Sequence, residues 1–116
     1  MISDKAIVDK NSKLESSVEV GPFCIIGKEV KIGKNVKILS HVVITGDTTI
    51  SDECEIYPFA SIGCAPQDLK FKGEKTKLVI GKKNKIREYV TINPGTDNGG
   101  SITKIGDNCL FMISSH

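Results

Sequence analysis

The chain has no tryptophan, 5% aromatic residues, two histidines and no apolar run long enough to cross a bilayer as a helix. Each shortage closes a class of explanation. With so few large rings, the interior has to be assembled from aliphatic side chains. Residues 1–30 lack the continuous apolar core of a secretory signal peptide, so the expected location is cytoplasmic. Cys24, Cys54, Cys64 and Cys109 lie far apart and form no CxxC pair, which points away from metal ligation and from a disulfide framework. They read as reduced thiols. His41 and His116 stand 75 residues apart and cannot supply a three-histidine metal site. No metal and no cofactor are expected. A net charge of +2 on 116 residues argues against a general nucleic-acid binder.

Against these absences stands one strong pattern. Ile2, Val8, Leu14, Val20, Ile26, Ile32, Ile38, Ile44, Ile50, Ile56 and Ile62 recur every six residues. A six-residue period drifts around a helix of about 3.6 residues per turn, and a single long strand gives no reason for it. Four residues after each member stands a small or thin side chain: Ala6, Ser12, Val18, Cys24, Val30, Val36, Val42, Thr48, Cys54, Ala60 and Pro66. Both columns point to one interior. Each hexapeptide is then one short strand and one turn. Three of them make an 18-residue triangular coil, and successive coils pair as parallel strands about 4.8 Å apart. Glycine directly after the column, as at Gly27, Gly33, Gly63, Gly81 and Gly106, suits corners that need close approach or positive φ. The expected fold is all-β: a parallel β-helix, one incomplete hexapeptide-repeat domain over residues 1–116. Ser3, Asp4 and Lys5 suit a cap on the first coil. The run from Cys109 to His116 stops inside an apolar strand, as expected of a truncated chain.

Two stretches interrupt the period. Between Ile62 and Ile80 the column skips the run Asp68 to Lys77 and then resumes, so a 12-residue excursion, placed at 68–79, preserves register. The second, Asp97 to Ser101, lies between Ile92 and Ile105 and reads as a flexible turn. Loops on rigid scaffolds are favoured places for binding residues. Eight of the 16 basic residues fall between Lys70 and Arg87, with Glu74 the only acid among them. That run is either a solvated face or a landing site for an acidic partner or a phosphate-bearing substrate. Lys28, Lys31, Lys34 and Lys37 fall at turns and outward positions, as a solvated basic edge or a docking contribution.

Five segments carry a family resemblance, and together they cover essentially the whole chain: Gly21 to Gly27, Ser40 to Ile44, Ile56 to Gly63, Gln67 to Glu74 and Ile86 to Thr96. In them the sequence resembles the acyl-(acyl-carrier-protein)–UDP-N-acetylglucosamine O-acyltransferases, the first enzymes of lipid A synthesis. Hexapeptides alone do not separate this family from other acyltransferases; the Gln-Asp-Leu-Lys loop and the Arg-Glu-x-Val-Thr-Ile strand do. The resemblance implies a left-handed parallel β-helix, against the usual hand of parallel crossovers. It implies a homotrimer with active sites in clefts between neighbouring β-helices, and a C-terminal helical domain beyond the solenoid, so that this chain is an N-terminal fragment. The implied reaction moves a 3-hydroxyacyl group from acyl carrier protein to the glucosamine 3-hydroxyl of UDP-N-acetylglucosamine. Acyl carrier protein brings the donor as a co-substrate. A sugar hydroxyl is too weak an acid to ionise near neutral pH, so a positioned histidine takes its proton and a donor stabilises the oxyanion.

Carried over by position, Asp68 would hydrogen-bond the sugar, Gln67 would line the nucleotide-sugar pocket and Lys70 would meet phosphate or the acyl donor. His116 matches a histidine near that pocket, three positions before the family's general base. No catalytic residue is therefore assigned within these residues, and the fragment alone is expected to be inactive. His41 reads as structural, and Asn93 stands where some relatives carry histidine. A sibling N-acyltransferase is expected to carry a different domain before its repeats, whereas here the repeat begins at Ile2. A hexapeptide carbonic anhydrase needs three histidines. A structural or ice-binding solenoid, the non-enzymatic alternative, needs Thr-x-Thr ladders that Thr48 and Thr49 do not make.

Overall fold

The computed structural model describes residues 1–63, 77–93 and 102–112. Regular structure among the described residues is strand throughout. The six-residue spacing becomes geometry at once: β1 (Ile7–Val8), β2 (Lys13–Leu14) and β3 (Glu19–Val20) complete one coil. Strand β4 (Ile25–Ile26) then lands beside β1 with Ile7 opposite Ile25. The path continues through β5 (Lys31–Ile32), β6 (Lys37–Ile38), β7 (Val43–Ile44), β8 (Asp47–Ile50), β9 (Glu55–Ile56) and β10 (Ser61–Ile62). It closes with β11 (Lys77–Ile80), β12 (Lys85–Ile86), β13 (Thr91–Ile92), β14 (Ile102–Ile105) and β15 (Leu110–Phe111). Every third strand joins the same sheet. The result is three five-stranded parallel sheets: a first of β1, β4, β7, β10 and β13, a second of β2, β5, β8, β11 and β14, and a third of β3, β6, β9, β12 and β15. This is the parallel β-helix that the period requires.

The two sequence columns fill its interior. Val20, Ile26, Ile32, Ile38, Ile44, Ile50, Ile56 and Ile62 are buried, and so are Val18, Cys24, Val30, Val36, Val42, Thr48, Cys54 and Ala60 between them. Each buried aliphatic side chain contributes about 1.5–3 kcal/mol of transfer free energy, so the stack replaces a globular core. The column opens at its low end. Val8 and Leu14 are partly buried, and Ile2, at 46% exposure, joins the coil only through a bridge to Val20, because no described coil stacks on its outer side. The Met1 ammonium donates to Val18 O at 3.0 Å and Ser3 N to Val20 O at 2.8 Å, satisfying carbonyls on that open edge.

Both interruptions are absorbed without loss of register. Ile50 faces Ile80 and Ile62 faces Ile92 across the first, and Ile80 faces Ile105 across the second. The excursion placed at 68–79 lies at 68–76 outside the described residues. Its last three positions belong to β11, which is zipped to β8 on one side and β14 on the other along four residues. Among the described residues no helix is long and apolar enough to cross a membrane.

Polar groups inside the small-residue column are each satisfied. Asn84 is fully buried; its Nδ2 donates to Gly81 O at 3.1 Å and Gly106 O at 2.7 Å, and its Oδ1 accepts from Cys109 N at 2.7 Å. One side chain thus ties the β11–β12 corner to the β14–β15 corner. Cys24 Sγ donates to Leu39 O at 2.7 Å and Cys54 Sγ to Gly81 O at 3.1 Å. Burial pushes both thiols above their ordinary pKa, opposed in part by neighbouring backbone groups. Cys109 is a partly exposed free thiol, and Cys64 lies outside the described residues.

Asn84→Ala removes a fully buried side chain and its bonds to the Gly106 carbonyl and the Cys109 N–H, and is expected to lower stability by about 1–3 kcal/mol, read from the urea midpoint. The thiols make a separate prediction. A folded-state pKa raised above the unfolded value contributes stability that is complete below the unfolded pKa and is lost as pH climbs through the folded one. Stability should therefore fall as pH rises past 9.0, the ordinary thiol value. Urea titrations of a Cys24→Ala/Cys54→Ala variant should show a shallower alkaline decline.

Candidate functional site

The three corners of the coil are built differently. Between the third and first sheets, Phe23, His41, Phe59 and Tyr89 take left-handed φ values of 58–67°, and between the second and third sheets Asn35, Glu53, Lys83 and Asn108 take 58–63°. Left-handed backbone costs a non-glycine residue roughly 1–2 kcal/mol. At four of these turns the coil beside holds the residue against that cost: His41 N donates to Pro22 O at 3.1 Å, Phe59 N to His41 O at 3.1 Å, Glu53 N to Lys34 O at 2.8 Å and Lys83 N to Asp52 O at 3.0 Å. The corner between the first and second sheets has no such residue among those described. Glycine serves there instead, with Gly46 at φ 72° and Gly63 at φ 78°. Of the glycines expected to meet a need for close approach or positive φ, Gly63 has the positive φ, Gly33 and Gly81 have the close approach, and Gly27 and Gly106 have neither. At Gly33 and Gly81 the need is space, since a Cβ would meet the carboxylates of Asp52 and Asp107.

Both interruptions of the repeat leave from this glycine corner. The first departs after β10 at Gly63 and re-enters at β11; the second departs after β13 at Asn93 and re-enters at β14. Their exits are stacked on neighbouring coils, with Gly63 N donating to Ile92 O at 2.7 Å. One coil below, Thr45 and Gly46 carry the chain across the same corner between β7 and β8. There the buried Thr48 donates through Oγ1 to Thr45 O at 2.7 Å and through N to Gly46 O at 3.0 Å. A Cβ at Gly63 would collide with both Thr45 O and Thr48 Oγ1. A fixed, tightly packed turn therefore underlies the point where the first excursion begins.

By sequence, Gln67, Asp68 and Lys70 lie in that first excursion and His116 follows β15; all four are outside the described residues. Asn93 is exposed at the end of β13. The described part of the basic run does not form one patch: Lys77 lies on the second sheet, Lys82 and Lys83 at the next corner, and Lys85 on the third sheet opposite Glu55. Lys83 pairs with Glu53 at 3.9 Å. Arg87 stacks its guanidinium 4.1 Å from the Tyr57 ring centre and reaches Glu88 at 3.1 Å. Tyr57 OH donates to Glu55 at 2.9 Å, and that bond raises its pKa. Lys28, Lys31, Lys34 and Lys37 are all exposed, yet they wrap around a corner, the second sheet, the next corner and the third sheet.

One feature went unread in the sequence. Phe23, His41, Phe59 and Tyr89 stack along a single corner, with successive ring centres 5.1, 4.9 and 5.3 Å apart. The 18-residue spacing of Phe23, His41 and Phe59 was the available signal. His41, expected to be structural, is the second ring of this ladder.

The glycine corner has a direct test. Gly63→Ala introduces both a strained φ and an overlap, and is expected to cost at least about 2 kcal/mol in chemical denaturation. Gly27→Ala, which meets Thr45 only at ordinary contact distance, is expected to stay within about 1 kcal/mol.

No protein-family model matches the chain. Individual relatives do. The acyl-(acyl-carrier-protein)–UDP-N-acetylglucosamine O-acyltransferase of Rickettsia typhi is 50% identical over 115 residues, which are 99% of this chain and 44% of that protein. The solved UDP-N-acetylglucosamine acyltransferase of Francisella novicida superposes with a TM-score of 0.91 at 41% identity, over 97% of this chain and 41% of that one. That of Bacteroides fragilis superposes with a TM-score of 0.88 at 45% identity, over 97% and 44%. The chain thus spans less than half the length of the relatives it matches. These solved relatives are left-handed β-helices, and superposition this close does not survive a change of hand, so the coil here is left-handed. Over the share of their length that it spans, the chain is similar in sequence and in fold to the UDP-N-acetylglucosamine O-acyltransferases.

Proposed function

We propose that the chain is the β-helical part of an acyltransferase that moves a 3-hydroxyacyl group from acyl carrier protein to the glucosamine 3-hydroxyl of UDP-N-acetylglucosamine, the first step of lipid A biosynthesis. One observation supports it beyond the family likeness. The glycine corner releases both excursions on neighbouring coils, and the first carries Gln67, Asp68 and Lys70 in its sequence. A rigid scaffold that sends adjacent loops from one corner is suited to holding a substrate between them.

In this reaction the sugar oxygen bonds to the thioester carbonyl carbon while a general base takes its proton. The carbonyl electrons return as the carbon–sulfur bond breaks, and the carrier's thiolate is reprotonated. No cofactor enters, because the acyl donor is itself a co-substrate. Asp68 accepts a hydrogen bond from the sugar, Gln67 lines the nucleotide-sugar pocket, Lys70 meets phosphate or the acyl donor, and His116 sits beside the pocket. None of these is given the role of base. The working assembly is a cytoplasmic homotrimer with clefts between neighbouring β-helices.

Isothermal calorimetry with UDP-N-acetylglucosamine tests the assignment. Asp68→Ala removes one charged hydrogen bond and is expected to weaken binding about tenfold or more, while Lys31→Glu on the second sheet leaves it unchanged. No binding by the unaltered chain, or equal binding by Asp68→Ala, would overturn this reading.

A further inference from the structure

In the uninterrupted coils, chain length decides which strands pair. Lys34 N reaches Asp52, 18 residues on, because three hexapeptides close one coil. After an excursion that rule lapses. Every hexapeptide offers the same kind of inward residue, so β14 with Ile105 and β15 with Phe111 are equivalent claimants for the place beside β11. Across the first excursion the returning strand β11 buries both Leu78 and Ile80, and its own aliphatic pattern is strong. Across the second that pattern is weak: Ile102 and Leu110 are more than half exposed, and Ile105 and Phe111 are only partly buried. The coil nevertheless takes one register, with Ile80 opposite Ile105 and Ile86 opposite Phe111.

The corner between the second and third sheets carries the information that the aliphatic pattern lacks. Its small-residue column runs Val18, Val36, Cys54, Asn84 and Cys109. Asn84 is the one amide among these five, and it is fully buried. On the first coil Val18 N closes its own turn by donating to Glu15 O at 3.1 Å. The equivalent groups of the last described coil, Cys109 N and Gly106 O, are bonded instead to Asn84 Oδ1 and Nδ2, each at 2.7 Å. The side-chain amide thus takes the place of a peptide group between two coils. Beside it Lys82 N donates to Asp107 Oδ1 at 2.6 Å, and the missing Cβ of Gly81 leaves room for that carboxylate. Gly81, Lys82 and Asn84 together fit a hexapeptide in which aspartate stands two residues after the column. Asp107 stands there after Ile105, whereas Ile113 stands there after Phe111. The aspartate contact also occurs at Gly33, Lys34 and Asp52, where chain length already fixes the pairing and the column residue is Val36. A buried polar group added where register is otherwise open matches the best-attested use of such groups, the choice of one register among several.

We propose that the Asn84 corner selects which hexapeptide re-enters the solenoid after the second excursion. Asn84 and Asp107 act there as positioning residues, and the inference is independent of any substrate. Methyl NMR on the full chain is the test, read from the Ile105 signals and their NOE to Ile80. Asn84→Val copies Val36 and lets Cys109 N bond Gly106 O as Val18 N bonds Glu15 O; adding Asp107→Ala removes the carboxylate contact too. The double variant is expected to keep its circular dichroism spectrum while a second set of Ile105 signals rises to about a tenth of the total or more. Asp52→Ala, which removes the same contact where chain length fixes the pairing, is expected to keep one set. With the corner intact, a Gly-Ser insert one hexapeptide long after Gly99 is expected to leave the NOE between Ile80 and Ile105 in place. A single set of signals in the double variant, a second set in Asp52→Ala, or loss of that NOE on insertion overturns the proposal. So does a double variant that unfolds, since the corner would then supply stability and not choice.

Discussion

Each coil of this protein is tied to the next by backbone hydrogen bonds that run along the solenoid: Ile25 N to Val42 O at 2.9 Å, Lys37 N to Cys54 O at 2.9 Å, Lys85 N to Cys109 O at 2.9 Å. This ladder is what everything else depends on. A two-residue strand such as β4 or β12 has no stability of its own, and only stacking between coils makes it a strand. Because the bonds fix register, they also decide which side chains face in. A slip of one residue would turn the isoleucine stack into water and the lysines of the second and third sheets into the core.

The same constraint explains how long insertions are tolerated. Residues can be added at a corner without cost to the core provided the next strand returns to its place, as Ile80 does opposite Ile50 and Ile105 opposite Ile80. Two corners are closed to such additions by left-handed residues whose N–H groups bond the neighbouring coil. The third is built on glycine, and it is there that both excursions emerge. Scaffold and candidate site are separated in this way: the interior sets where the loops begin, and the first loop holds Gln67, Asp68 and Lys70, the residues proposed to meet substrate.

The three faces, identical in backbone, differ in what they offer. Charges of alternating sign stand opposite one another across the strands of the third sheet, lysines on the second remain in water, and the first presents isoleucine and valine beside the ring ladder. A solenoid can vary each face independently because its outward residues contribute little to the core. Contact, solubility and substrate approach can thus be placed on different sides of one stack.

The fold was legible in the residues themselves because hexapeptide spacing has a single geometric reading: columns at Ile26 and Cys24, repeated, leave no other way to bury both. The return to register after the first excursion was legible too, since the column resumes at Ile80. The family likeness supplied Gln67, Asp68, Lys70 and His116, which no spacing rule singles out. What only tertiary structure decided was which residues of distant coils come together. The sharing of one corner by Gly46, Gly63 and Asn93, the stacking of Phe23 on His41 and Phe59, the reach of Asn84 to Cys109 and the dispersal of the basic run over separate faces all depend on the number of residues per coil. That number changes wherever an excursion is inserted, so contacts between coils follow from the closed hydrogen-bond register and not from local sequence.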